Sequence, residues 1–148
     1  MKRTFFPKRS IETVFLSLGI ALWVTLLAGC GGKEEPEISQ KGMKTIKSYE
    51  EFQKVVNGAG SKLLVFDLYA DWCMPCKMLS PLLEQLAVEH KDKAAIYKIN
   101  VDTNPQIARA FGVRGIPYVV FMKNKQAVHA MTGVQPKKAY HEAIVQLH

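Results

Sequence analysis

Residues 63–69 read LLVFDLY, a run that is apolar except for one aspartate and a terminal tyrosine. A stretch this short and this apolar has no polar side to give to water, so it is read as a strand covered on both faces. That requirement, a sheet with packed layers above and below it, limits the fold more than any other feature. Ala70 and Asp71 separate the run from Trp72-Cys73-Met74-Pro75-Cys76-Lys77. If a helix begins at Cys73, its unpaired backbone N–H groups point at the first sulfur and the helix dipole favours an anion there. Pro75 suits such a first turn, because the N–H it lacks has no helical partner anyway. A turn of this kind can lower a cysteine pKa from about 8.5 to roughly 3.5–7.5, giving a nucleophilic thiolate open to water. The second cysteine, one turn on, lies close enough to close a disulfide.

The flanking stretches alternate between strand and helix signals. Residues 43–46 form a short strand candidate, and Ser48 is read as the N-cap of a helix over 49–56, with Glu51 completing a capping box. Asn57-Gly58-Ala59-Gly60 stops that helix. From the cysteines to about Glu89 an amphipathic helix is predicted, with Met78, Leu82, Leu86 and Leu79, Leu83 at helical spacing and Pro81 kinking it. Residues 95–101 are the next strand, and 104–111 a short helix capped by Asn104 with Pro105 at its first position. Residues 118–122 and 127–132 read as a hairpin and 136–147 as a last helix. The order β-α-β-α-β-α-β-β-α predicts an α/β fold, a mixed sheet flanked by helices.

The 148 residues, 48% of them hydrophobic, allow one domain with a real core. The net charge is +7, but the first twelve residues alone carry +3, and there is no basic stripe with interleaved aromatics. Nucleic-acid binding is not indicated. Residues 1–29 read as a lipoprotein signal peptide: a basic start precedes the uncharged run 14–28, which is shorter than the about 20 residues of a spanning helix. The run ends in Leu27-Ala28-Gly29-Cys30, which resembles the bacterial lipobox and implies cleavage before Cys30 and lipidation of its sulfur. An uncleaved anchor with an incidental Cys30 is the other reading; under both, the folded part is exported, membrane-tethered and periplasmic or otherwise extracytoplasmic. Residues 30–42 then form the lipidated cysteine and a flexible tether, whose twelve polar residues after Cys30 reach about 20 Å. The domain proper is 43–148. With Cys30 assigned to lipid, Cys73 and Cys76 are the only remaining thiols.

A zinc reading of this pair lacks ligands, since His90, His129, His141 and His148 are widely spaced in sequence. A c-type haem would need histidine after the second cysteine, where Lys77 stands. An inert structural disulfide stays open on the residues alone, though the strand-to-helix placement argues against it. Asp67 is either an acid at a strand edge that reaches solvent or a buried one whose pKa is raised. The Ile116–Pro117 bond taken by itself is expected trans, as about 94–95% of X–Pro bonds in folded proteins are.

Together these motifs resemble the thioredoxin family over the whole of 43–148. The resemblance rests on Phe66-Asp67, the WCMPCK segment, Pro81, Val101-Asp102 with Asn104-Pro105, Gly112-Val113-Arg114-Gly115-Ile116-Pro117, Lys123-Asn124 and Gly133, in that order. It implies a thioredoxin fold, a central five-stranded mixed sheet with four helices on its two faces. It implies Cys73 as the attacking thiol, Cys76 as the resolving one, and a redox-active Cys73–Cys76 disulfide. Asp67 would be a buried proton acceptor behind Cys76, tuned by Lys98. Pro117 would be cis and would present the backbone of Ile116 to an extended substrate strand. Trp72, Met74, Pro75, Ile116, Pro117 and Gly133, with Gly115 and Val134, would form the docking surface, although each could equally be loop or core packing. No cofactor or metal is implied, and a monomer is expected. Met74 and Tyr69 depart from the residues most common in the family. Lys125 stands where glycine is usual, so the hairpin is not expected to use an Asn-Gly type I′ turn.

The function expected is a thiol–disulfide oxidoreductase that reduces disulfides of exported proteins and is recharged by a membrane electron donor. Pro75, with no histidine inside the pair, favours the reducing direction. The alternatives are a disulfide oxidase or isomerase, a cytochrome c maturation thiol reductase, and a non-catalytic binding module of the same fold.

Overall fold

The computed structural model describes residues 42–148. The signal peptide, Cys30 and nearly all of the tether lie outside the described residues. Among those described, no helix is long and apolar enough to cross a membrane.

The elements follow the predicted order: β1 (Lys44–Ile46), α1 (Tyr49–Gly58), β2 (Leu63–Tyr69), α2 (Met74–Glu89), β3 (Ala94–Asn100), α3 (Pro105–Ala110), β4 (Tyr118–Lys123), β5 (Gln126–Thr132) and α4 (Lys137–Leu147). They build one five-stranded sheet in the order β1-β3-β2-β4-β5. β1 and β2 run parallel to β3, while β2–β4 and β4–β5 are antiparallel.

β2 is central, and its alternation sorts the core into two layers. Leu63 and Val65 face a cluster with Leu79, Leu83 and Leu86 of α2, Ile96 of β3, Val119 and Phe121 of β4, and Tyr140 and Ile144 of α4. Leu64, Phe66 and Leu68 face the other side, packed with Phe52 of α1, Ile99 of β3, Ile107 of α3 and Val120 of β4. By the same alternation Asp67 belongs to the α2 side. Its register partners there are Lys98 on β3 and Val119 on β4.

Several local expectations are refined. Ser48 Oγ accepts from the Glu51 N–H at 3.2 Å, but the Glu51 carboxylate reaches back to the Lys47 N–H at 2.8 Å, one residue earlier than a capping box requires. Asn104 precedes α3 without capping it through its side chain; its amide instead donates to the Asn100 carbonyl at 3.1 Å. Pro81 sits inside α2 without dividing it. Met78, expected in the core, is 69% exposed. The chain arrives at β1 so close to α2 that a Cβ on Gly42 would lie 2.9 Å from both Ala87 Cβ and Val88 Cγ2.

The β4–β5 turn has no Asn-Gly pair, as expected, yet keeps the same backbone signs. Asn124 and Lys125 both take positive φ, 51° and 65°, which is the backbone sign pattern of a type I′ turn achieved without glycine. The left-handed region disfavours a residue with a Cβ such as lysine by about 1–2 kcal/mol. Lys125→Gly should therefore raise the unfolding free energy by about 0.5–1 kcal/mol in urea melts, after allowing for glycine's greater chain entropy. An unchanged or lower midpoint would show that the turn is not strained at this residue.

Candidate active site

The site forms where β2 ends and α2 begins. Cys73 is the N-cap of α2, with Met74 and Pro75 as the first helical residues. Its Sγ accepts the Cys76 N–H at 3.2 Å, so the sulfur occupies one of the donors that a helix start leaves unpaired. The two cysteines are joined in a disulfide with Cα atoms 5.3 Å apart. The loop before them is fixed from β3 and the turn beyond it. Val101 N–H donates to the Tyr69 carbonyl at 2.9 Å, Asn100 Nδ2 to Asp71 at 3.2 Å, and Trp72 Nε1 to Asp102 at 3.0 Å.

The first sulfur is less open than expected. Cys73 is only 3% exposed, and with Ala70 and Cys76 it forms a small buried cluster against Tyr69, Val101 and Ile116. Trp72 and Met74 stand exposed on either side in sequence, and Val134 is exposed as well. Met78, one turn beyond Met74 on α2, extends this apolar surface. Its apolar spacing hid it, since the buried stripe of the helix is Cys76, Leu79, Leu83 and Leu86.

Ile116–Pro117 is a cis peptide bond, with Pro117 buried and Ile116 half-buried beside the cysteines. The loop after β5 is tied to the same region. Gly133 N–H donates to the Pro117 carbonyl at 2.8 Å, and Gly133 has φ of 74° with nothing within 4 Å of where a Cβ would stand. Tyr140, fully buried on α4, holds that loop by donating its hydroxyl to the Gly133 carbonyl at 3.2 Å and accepting from the Gln135 N–H at 3.1 Å.

Asp67 is fully buried, which decides between its two readings, and neither carboxylate oxygen has a hydrogen-bond partner among the described residues. Burial pushes its pKa up to about 7, and the Lys98 ammonium opposes the rise. Lys98 does not bond the carboxylate. Its Nζ donates to Ser80 Oγ at 2.7 Å and stands 4.7 Å from the centre of the Tyr69 ring. A cleft of about 280 Å³ runs between Tyr69, Cys76, Lys77, Ser80 and Lys98, giving water a way to the flank of the second cysteine.

Because the folded-state pKa of Asp67 lies above its ordinary value, the neutral acid favours the folded protein. That contribution is whole below about pH 4, is lost as pH rises through 7, and is absent above it. Ionising the group in place costs about 4 kcal/mol, and an amide there, itself a buried polar group, recovers about half of that. Asp67→Asn should thus stabilise the oxidised protein by about 2 kcal/mol at pH 8, break even near about pH 5.5 and destabilise it by about 2 kcal/mol near pH 4 in denaturant melts. A pH-independent difference would contradict the raised pKa.

The comparisons agree with this geometry. The family model described as Thioredoxin matches residues 43–146. Thioredoxin of Malassezia sympodialis is 39% identical over 97 residues, covering 65% of this chain and 90% of the relative. Its crystal structure covers 71% of this chain and 92% of its own at a TM-score of 0.65, and Fasciola hepatica thioredoxin covers 72% and 100% at 0.67 with 28% identity. A disulfide at a helix start, an unpaired buried acid on the sheet beneath that helix and these likenesses lead to one conclusion: the chain belongs to the thioredoxin family and is a thiol–disulfide oxidoreductase of the protein-disulfide reductase type.

Proposed function

We propose that this protein is a membrane-tethered reductase for disulfides of exported proteins, with Cys73 as nucleophile, Cys76 as resolving thiol and Asp67 as proton acceptor. The observation that carries the assignment of roles is the placement of Cys73 Sγ against an unpaired N–H of the α2 start, with Asp67 buried and unpartnered on the sheet face that α2 covers. In the reduced enzyme, the helix start stabilises Cys73 as thiolate. The thiolate attacks one sulfur of a substrate disulfide; that bond breaks, a mixed disulfide forms, and the first substrate sulfur leaves as a thiolate that takes its proton from water. Cys76 then gives its proton to Asp67, through water entering by the cleft beside Ser80 and Lys98, and attacks Cys73 Sγ. The second substrate thiol is released and the enzyme keeps the Cys73–Cys76 disulfide, having passed two electrons to the substrate. An acid with a pKa of about 7 suits this step, because near neutral pH it can both take up the proton and return it.

The slight exposure of Cys73 calls for a substrate strand that seats directly on the sulfur. Ile116 beside Pro117, with Gly133 behind it, offers backbone to pair with such a strand, and Trp72, Met74, Pro75 and Val134 form the apolar rim. Tethering rests on residues 1–30, with lipidation at Cys30. A membrane protein carrying a dithiol would regenerate the reduced form by the same exchange run in reverse.

Two measurements test the reading. Cys76→Ser should accumulate mixed disulfides through Cys73 on exported proteins, visible as adducts on non-reducing gels, whereas Cys73→Ser should trap few or none. Adducts captured mainly by the Cys73→Ser variant would reverse the roles, and none in either would remove the reductase reading. Cys30→Ser should move the protein from the membrane fraction to the soluble one; retention in the membrane would refute lipid tethering through this cysteine.

A further inference from the structure

The opposite end of α2 carries a second group of chemically capable side chains, which disulfide exchange does not use. His90 closes that helix and is only 6% exposed. His141 reaches it from α4: His90 Nε2 and His141 Nδ1 are 2.9 Å apart, with the rings inclined at 58°. Glu89 is adjacent, and one ligand atom from each of the three side chains lies within 4.8 Å of the others. The two histidines are 51 residues apart in the chain, so spacing along the sequence hides the pair.

We propose that Glu89, His90 and His141 form a binding site for a divalent transition-metal ion of the zinc type, linking the end of α2 to α4. Two nitrogens each about 2.0–2.1 Å from a tetrahedral zinc lie roughly 3.3 Å from one another, so this pair has to part by only about 0.4 Å. His141 is exposed and can make that adjustment while the buried His90 stays in place. Two imidazoles and a carboxylate suit zinc, cobalt or nickel, whereas magnesium and calcium prefer oxygen ligands throughout. Lys137 bonds Glu89 Oε1 at 2.5 Å and approaches Gln85 Oε1 at 3.3 Å. It holds the carboxylate in position and leaves Oε2 for the ion, as outer partners of metal ligands do. Three protein ligands leave the fourth position to water. The sixteen residues of α2 span about 24 Å, so the site is remote from the disulfide and its occupancy can be separated from redox turnover.

The test is a Co²⁺ titration of the full chain, followed by visible absorbance, with Zn²⁺ added in competition. The protein is kept oxidised so that Cys73 and Cys76 do not act as ligands. One ion should bind per chain, with the His90 and His141 ring signals shifting together in NMR spectra. His141→Ala should weaken binding by about tenfold or more and Glu89→Gln by about threefold or more, while both reduce insulin at the wild-type rate. His141→Ala binding as tightly as the wild type would overturn the proposal, as would the absence of saturable binding to the wild type below about 1 mM, far weaker than a three-ligand site should be.

Discussion

The structure depends on the burial of β2 on both faces. Because this strand pairs with β3 on one side and β4 on the other, its backbone polar groups are satisfied within the sheet, and its side chains can serve only as core. Leu63 and Val65 anchor the α2–α4 layer, and Leu64, Phe66 and Leu68 anchor the α1–α3 layer. The strand's carboxyl end then emerges where α2 starts, which sets Cys73 at the boundary between a rigid sheet and a helix terminus. The single polar residue of the strand, Asp67, is held without a partner by the same burial, and that raises its pKa into the range where a thiol proton can be exchanged. Core and buried, unpartnered acid are thus consequences of one placement.

The rest of the site is organised around this strand end by loops tied to one another. Trp72 is fastened to Asp102, Asp71 to Asn100, and Gly133 to Pro117, with Tyr140 bracing the last of these from α4. Three separate chain segments therefore converge on the disulfide. Lys98 is a quieter participant. Held by Ser80 and the Tyr69 ring, its ammonium acts on Asp67 through the field and not by contact, which leaves the carboxylate free of a competing bond.

The order of the nine described elements was legible in the sequence because most signals were local: a capping serine, glycine stops, prolines at helix starts and a seven-residue apolar run. Asp67, Cys73, Cys76 and Pro117 were legible as site residues through the family likeness of their motifs. The misreadings share one cause, dependence on partners distant in the chain. Met78 shares helical spacing with Leu82 and Leu86, but the face that α2 lays on the sheet is centred on Cys76, Leu79, Leu83 and Leu86. Asn104 was read as a local cap, but its Nδ2 is drawn to the Asn100 carbonyl and its Oδ1, the atom that would cap, is left buried without a partner among the described residues. The openness of Cys73 was overestimated because the Tyr69, Val101 and Ile116 side chains that crowd it come from three different places. The approach of His90 to His141 follows from the packing of α2 on α4 and from no repeat in the sequence.

The tight passage of Gly42 beneath the last turns of α2 has a mechanical consequence. The described chain enters the domain beside the last turns of that helix while the sulfurs lie at its first turn, roughly 20 Å away along the axis. Chain entry and disulfide therefore occupy opposite ends of one helix, so crowding at Gly42 would press on the heel of α2 and not on the sulfurs.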